Sequence, residues 1–170
     1  TQLMELEVDL EQIELGDFDH YMLKEIHEQP EAIRRSFRGR IDQASGRIVL
    51  GGVADYAQEL MKAKRIVLLG QGTALHSAMV GEYIFEDLAG IPAETDFASE
   101  FRYRNPIVED GTVVIAITQS GETLDTLEAM REARQRGALT LGLVNVVGST
   151  IARETDAGVY PVSSTHLRAH

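Results

Sequence analysis

The chain has 170 residues, 44% hydrophobic and 25% charged, the proportions of an ordinary globular domain with room for one real core. Its 27 acidic against 16 basic side chains leave a net charge of −11, which argues against a nucleic-acid surface but allows local anion binding by N–H and hydroxyl groups. There is no cysteine for a disulfide or thiolate metal site, no apolar run near the ~20 residues that cross a bilayer, and no basic-then-apolar leader, so the cytoplasm is the expected location.

The first twenty residues stand apart: Glu5, Glu7, Asp9, Glu11, Glu14, Asp17 and Asp19 occur there with no Lys or Arg. Leu6, Val8 and Leu10 alternate with acids as a short strand would, and Gly16-Asp17 ends the pattern. Residues 1–20 are expected to close a preceding domain or to form a linker. From Tyr21 the apolar spacing turns helical through Met22, Ile26, Ile33 and Phe37. Pro30 is tolerated in a first helical turn but not in an interior, so two short helices are expected to meet near Gln29-Pro30. Arg34, Arg35, Arg38 and Arg40 form the basic cluster of this segment, read as a solvated helix face.

A helix is expected over 53–61, after which strands and helices alternate. Strands are predicted at 66–69, 93–97, 113–117, 139–144 and from 157, and helices over 74–88 and 122–136, with helical turns at 99–104 and before Arg153. Short apolar strands separated by longer helices imply a parallel sheet covered on both faces, a three-layer α/β/α sandwich. Right-handed crossovers then bring the loops at Gly70, Thr118 and Asn145 to one sheet edge, where such folds bind ligands.

The strongest candidate site is Thr118-Gln119-Ser120-Gly121-Glu122-Thr123, which follows an apolar strand and opens a helix. A helix N-terminus offers unpaired N–H groups and a positive dipole end, which suits a phosphate. Ser120 as N-cap and Glu122 in the first turn have a purely structural explanation; Thr118, Gln119 and Thr123 at the same tip do not. Gly70-Gln71-Gly72-Thr73 is a second candidate, with Thr73 either a ligand or an N-cap. Position 75 is Leu, so the third glycine of a dinucleotide loop is missing, and no Gly-Lys-Ser/Thr is present. Residues 145–150 make an ordinary helix start. None of the five histidines has metal-ligand spacing, His76 included, and Glu94, Asp96 and Glu100 suggest no catalytic pair.

These motifs are familiar in combination. The run Tyr21-Met22-Leu23-Lys24-Glu25-Ile26-His27-Glu28-Gln29-Pro30 resembles the opening of the isomerase half of the glutamine:fructose-6-phosphate aminotransferase (isomerising) family. So do Leu88-Ala89-Gly90-Ile91-Pro92, Ala98-Ser99-Glu100-Phe101-Arg102-Tyr103-Arg104, Gln119-Ser120-Gly121-Glu122-Thr123 and Asp125-Thr126-Leu127. The resemblance implies amination of fructose 6-phosphate by glutamine-derived ammonia and isomerisation to glucosamine 6-phosphate. It also implies a glutaminase domain before this segment, a second sugar isomerase (SIS) domain after it, a homodimer, and no cofactor. Residues 21–50 become a helical linker and 51–160 the first SIS domain, flavodoxin-like in fold. On the family pattern Thr73, Thr118, Gln119, Ser120 and Thr123 correspond to the sugar-phosphate ligands.

Two departures qualify the match. Ala74 replaces a serine of the family's Cys-Gly-Thr-Ser and removes a hydroxyl. Residues 161–170 resemble neither the family nor a strand and are read as a foreign tail. The family's ring-opening histidine, general-base glutamate and substrate lysine belong to the second SIS domain, so no catalytic residue is assigned here. The alternatives are a non-catalytic sugar-phosphate-sensing SIS module, which would need a basic helix-turn-helix upstream, and a self-contained sugar phosphate isomerase with its own acid and base.

Overall fold

The structure, a computed structural model, describes residues 15–161. The strand expected around Leu6 and all of the tail but Pro161 lie outside the described residues. Two compact units divide between Arg38 and Gly39.

The first unit contains helix α1 (Tyr21–Phe37), which runs unbroken through Pro30. The expectation of two helices meeting at this proline is therefore corrected. Proline removes one backbone donor and crowds the carbonyl four residues back, a cost of about 3 kcal/mol. Strong helix formers surround it, and Glu31 pairs with Arg34 (3.7 Å) and Arg35 (3.3 Å) one turn on, so propagation outlasts the local loss.

The second unit begins with a small hairpin, β1 (Ile41–Asp42) and β2 (Arg47–Ile48), whose turn is held by the Asp42 carboxylate accepting from the N–H of Ala44 at 3.0 Å. The helix expected over 53–61 is two short ones, α2 (Gly51–Ala54) and α3 (Ala57–Met61). Tyr56 leaves the helical region (φ −103°, ψ 13°), yet Val53, Tyr56 and Leu60 still pack on the same apolar cluster.

The remaining elements form the expected α/β alternation: β3 (Arg65–Gly70), α4 (Thr73–Ile84) with a π turn at Phe85–Ala89, β4 (Ala93–Phe97), α5 (Ala98–Tyr103), β5 (Thr112–Thr118), α6 (Leu124–Gln135), β6 (Leu139–Val144), α7 (Thr150–Glu154) and β7 (Ala157–Val159). The five longer-range strands pair in parallel in the order β4-β3-β5-β6-β7. Successive strand residues face opposite sides of the sheet. Val67, Leu69 and Val114 accordingly pack with Ala98 and Phe101 of α5 and Ala129 and Ala133 of α6. Ile66, Leu68 and Val113 pack on the other face with Ala78 of α4 and with α2 and α3. The result is the three-layer α/β/α sandwich. Buried polar groups are paired where the sheet turns: Asp156 accepts from both the N–H (2.9 Å) and the hydroxyl (2.7 Å) of buried Thr140, tying β6 to the start of β7.

Phe101 is 1% exposed between α5 and the sheet. Phe101→Ala should lower unfolding free energy by about 3–5 kcal/mol, read by urea denaturation of the whole chain.

Candidate functional site

The chain leaves β3 through α4 toward β4 on one side of the sheet and leaves β5 through α6 toward β6 on the other. This reversal is a topological switch point, where neighbouring loops part and leave a crevice at the carboxyl ends of the strands. A cavity of about 210 Å³ lies there. The β3–α4 loop contributes Gln71, Thr73 and Ala74; the β5–α6 loop contributes Thr118, Gln119, Ser120 and Thr123, with Ile117 beneath and Thr126 behind. All five residues singled out in the sequence thus line one concavity. No charged side chain lines it.

The local geometry corrects both capping expectations. Helix α4 begins at Thr73, and Gly72 (φ 56°, ψ −128°) occupies the N-cap position, so the Thr73 hydroxyl is not used as a cap. The preceding turn is tight: a Cβ on Gly70 would lie 2.7 Å from the backbone nitrogen of Leu75. Helix α6 starts two residues later than expected, at Leu124, with Thr123 rather than Ser120 at its N-cap position and no side-chain capping bond. Both helices therefore start at the rim of one cavity, although in α4 the N–H groups of Ala74 and Leu75 already donate to the carbonyls of Gln71 and Gly72 (3.2 Å each).

Thr118 is buried at the end of β5, on the sheet face covered by α6. Its Oγ1 accepts the N–H of Gly121 (3.3 Å) and lies 3.5 Å from Thr123 Oγ1. Ser120 Oγ accepts the N–H of Glu122 (3.2 Å), so its hydrogen is free to point elsewhere. The loop is a polar arch whose hydroxyls are held by its own backbone.

Gln71 and Thr126 were missed as cavity residues from sequence. Thr126 follows Thr123 by three positions, the spacing that stacks side chains on one helix face, and that was the available signal. Its Oγ1 is buried without a hydrogen-bond partner. His76 is exposed and does not line the cavity. The loop at 145–150 does not line it either. Glu94 and Asp96 are engaged elsewhere: Glu94 pairs with Arg65 (2.6 Å), and Asp96 lies 2.9 Å from the Arg104 guanidinium. Burial pushes the Asp96 carboxyl above the usual range, and Arg104 opposes the shift. Among the described residues no group of three or more potential ligands could hold a metal ion, and no helix is long and apolar enough to cross a membrane.

The SIS domain family matches residues 59–167, a span that holds both arms of this cavity. The chain belongs to the SIS domain family. Over 159 residues this SIS chain is 55% identical to the glutamine–fructose-6-phosphate aminotransferase (isomerizing) of Chlorobaculum tepidum, and 50% identical to the enzyme of the same name from Symbiobacterium thermophilum. Each match covers 94% of this chain and 26% of the relative, so the chain spans about a quarter of the length of these curated proteins. Among solved structures, the C-terminal domain of glucosamine-fructose-6-phosphate aminotransferase from Francisella tularensis superposes with a TM-score of 0.78 at 36% identity. That match covers 88% of this chain and 41% of the other.

The SIS loop depends on Gly121. Its φ is +69°, and a Cβ there would lie 2.0 Å from Ser149 Oγ and 2.8 Å from Val144 Cγ1. Left-handed strain and overpacking act together, so Gly121→Ala should destabilise the chain by about 2–4 kcal/mol, measured as a shift in the urea midpoint at unchanged slope.

Proposed function

We propose that this chain is the first SIS domain of a glutamine:fructose-6-phosphate aminotransferase (isomerising), and that residues 118–123 with Thr73 hold the phosphate of fructose 6-phosphate. The observation that carries the proposal is the meeting of the hydroxyl-rich 118–123 loop, the Thr73 hydroxyl and two helix N-termini around one uncharged cavity at the switch point. A phosphate dianion needs several donors converging on it. Thr73, Ser120 and Thr123 supply hydroxyls, Gln119 a carboxamide, the first turn of α6 supplies N–H groups, and the dipoles of α4 and α6 both present their positive ends to the anion. A site of neutral donors holds phosphate without burying a counter-charge, so it avoids the desolvation cost of a lysine or arginine.

Identity to the aminotransferases over nearly the whole chain supports the substrate assignment, and Thr118 keeps the hydroxyl that serine commonly provides in the family. Ala74 lines the cavity without a hydroxyl, which weakens one sugar contact by about 0.5–1.5 kcal/mol. No Asp, Glu, His or Lys lines the cavity. In the proposed enzyme, proton transfer and ring opening therefore fall to the second SIS domain, ammonia to a glutaminase domain, and the whole works as a cytoplasmic homodimer. Residues 1–20 and 21–50 are assigned to the approach from the glutaminase side and the chain from 51 onward to the SIS domain; the family match runs on to residue 167, past the expected boundary at 160. The chain alone binds sugar phosphate and turns over nothing.

Calorimetry of the chain with fructose 6-phosphate, fructose and inorganic phosphate tests the assignment. Fructose 6-phosphate should bind, fructose should not, and Ser120→Ala should lose about tenfold or more in affinity, the effect of one hydrogen bond to a charged group. Equal affinity of wild type and Ser120→Ala, with fructose binding as well as its phosphate, would refute the phosphate loop.

A further inference from the structure

Glu122 sits in the middle of the proposed phosphate loop, is exposed, and does not line the cavity. Its side chain turns the other way. Glu122 Oε1 accepts the N–H of Thr150, in the first turn of α7, at 2.8 Å. Next to it, the carbonyl of Gly121 accepts the N–H of Ile151 at 3.0 Å. Two donors at the start of α7 are thus satisfied by a different loop, because Ser149, in the N-cap position, makes no side-chain capping bond.

The same two residues are fastened on their inner side. The Gly121 N–H donates to Thr118 Oγ1 and the Glu122 N–H to Ser120 Oγ. Each of the two therefore has one bond into the cavity wall and one bond out to α7. The receiving end is itself held: Arg153 donates to the carbonyl of Gly148 and to Thr150 Oγ1 (3.2 Å). The Thr150 hydroxyl and N–H hold the Glu122 carboxyl below the usual carboxylate range, with the Arg153 charge adding to the effect.

We propose that Glu122 is a positioning residue for sugar-phosphate binding: by capping α7 from the neighbouring loop, it fixes the 120–122 backbone that aims the Thr118 and Ser120 hydroxyls. The inference rests on the sugar-phosphate assignment above, and it concerns a residue that touches no ligand. The cap requires an acceptor at the reach of a glutamyl side chain. Glutamine provides it, aspartate is one methylene short, and alanine provides nothing.

The test uses the full 170-residue chain and the variants E122Q, E122D and E122A, with fructose 6-phosphate as the probe. Titrations followed by amide NMR should show E122A and E122D weakened about 3–10-fold, the size of one lost hydrogen bond, with E122Q within about twofold of wild type. Melting temperatures should stay within about 3 °C throughout, because Glu122 is exposed. In ligand-free protein, the amide of Thr150 should exchange faster in E122A and E122D than in wild type and E122Q. Wild-type affinity in E122A, with or without faster exchange at Thr150, would overturn the positioning role. Equal losses in E122Q and E122A would overturn it as well, since charge rather than reach would then be at work. S120A run in parallel separates the two ideas. If S120A loses binding and E122A does not, the phosphate loop stands and the clamp falls. If wild type shows no perturbation at 118–123, the phosphate assignment falls and takes the positioning role with it, while exchange at Thr150 still reports whether the cap exists.

Discussion

A parallel sheet has to send its chain back across a face after every strand, and right-handed crossovers leave few ways to do so. Here β3 lies inside the sheet, with β4 on one side and β5 on the other. The segments leaving β3 and β5 therefore cover opposite faces, and the carboxyl edge between them stays open. Every property of the candidate site follows from that opening. The two loops face each other, two helices start at its rim, and strand alternation points Thr118 toward α6 while Ile117 faces the other way.

The charge distribution fits this division of labour. The chain is acidic, yet the cavity carries no charged side chain. Carboxylates and guanidinium groups are matched on the outer surfaces instead, as in Arg131 with Glu128 (2.7 Å) and Glu154 (2.5 Å), and Arg136 with Glu132 (2.6 Å). Such exposed pairs add little stability each. They do keep side-chain charge out of a crevice where oriented N–H dipoles and hydroxyls set the local field. An anion then meets preorganised neutral donors despite the net negative charge around it.

Much of the fold was legible because its signals were local and strong. The strands over 93–97 and 139–144 match to the residue, and β3 and β5 differ only at their ends, since apolar runs between turn residues, as in β3, β5 and β6, have few alternative fates. The errors came where a local rule met a competing term. Pro30 breaks a helix in general, but strong helix formers on both sides carry α1 through it. Residues 53–61 carry helical apolar spacing through Val53, Tyr56 and Leu60, and that spacing does not reveal the break at Tyr56, since all three reach one cluster with the helix interrupted. Ser120 and Thr73 are good capping residues by type, yet the caps fell to Thr123 and Gly72, one or more positions away, because boundaries depend on where the loop can turn.

The sequence by itself determined the element order, the parallel α/β class, the family and the two polar loops, because hydrophobic period and motif spacing are properties of neighbours along the chain. Only the tertiary structure decided that the loop at 145–150 stays out of the cavity the other two share, that Gln71 and Thr126 belong to it, and that Glu122 faces α7 instead of a ligand. Those outcomes rest on the strand order about β3 and on a glycine pressed against Ser149, contacts between residues far apart in sequence that no local spacing encodes.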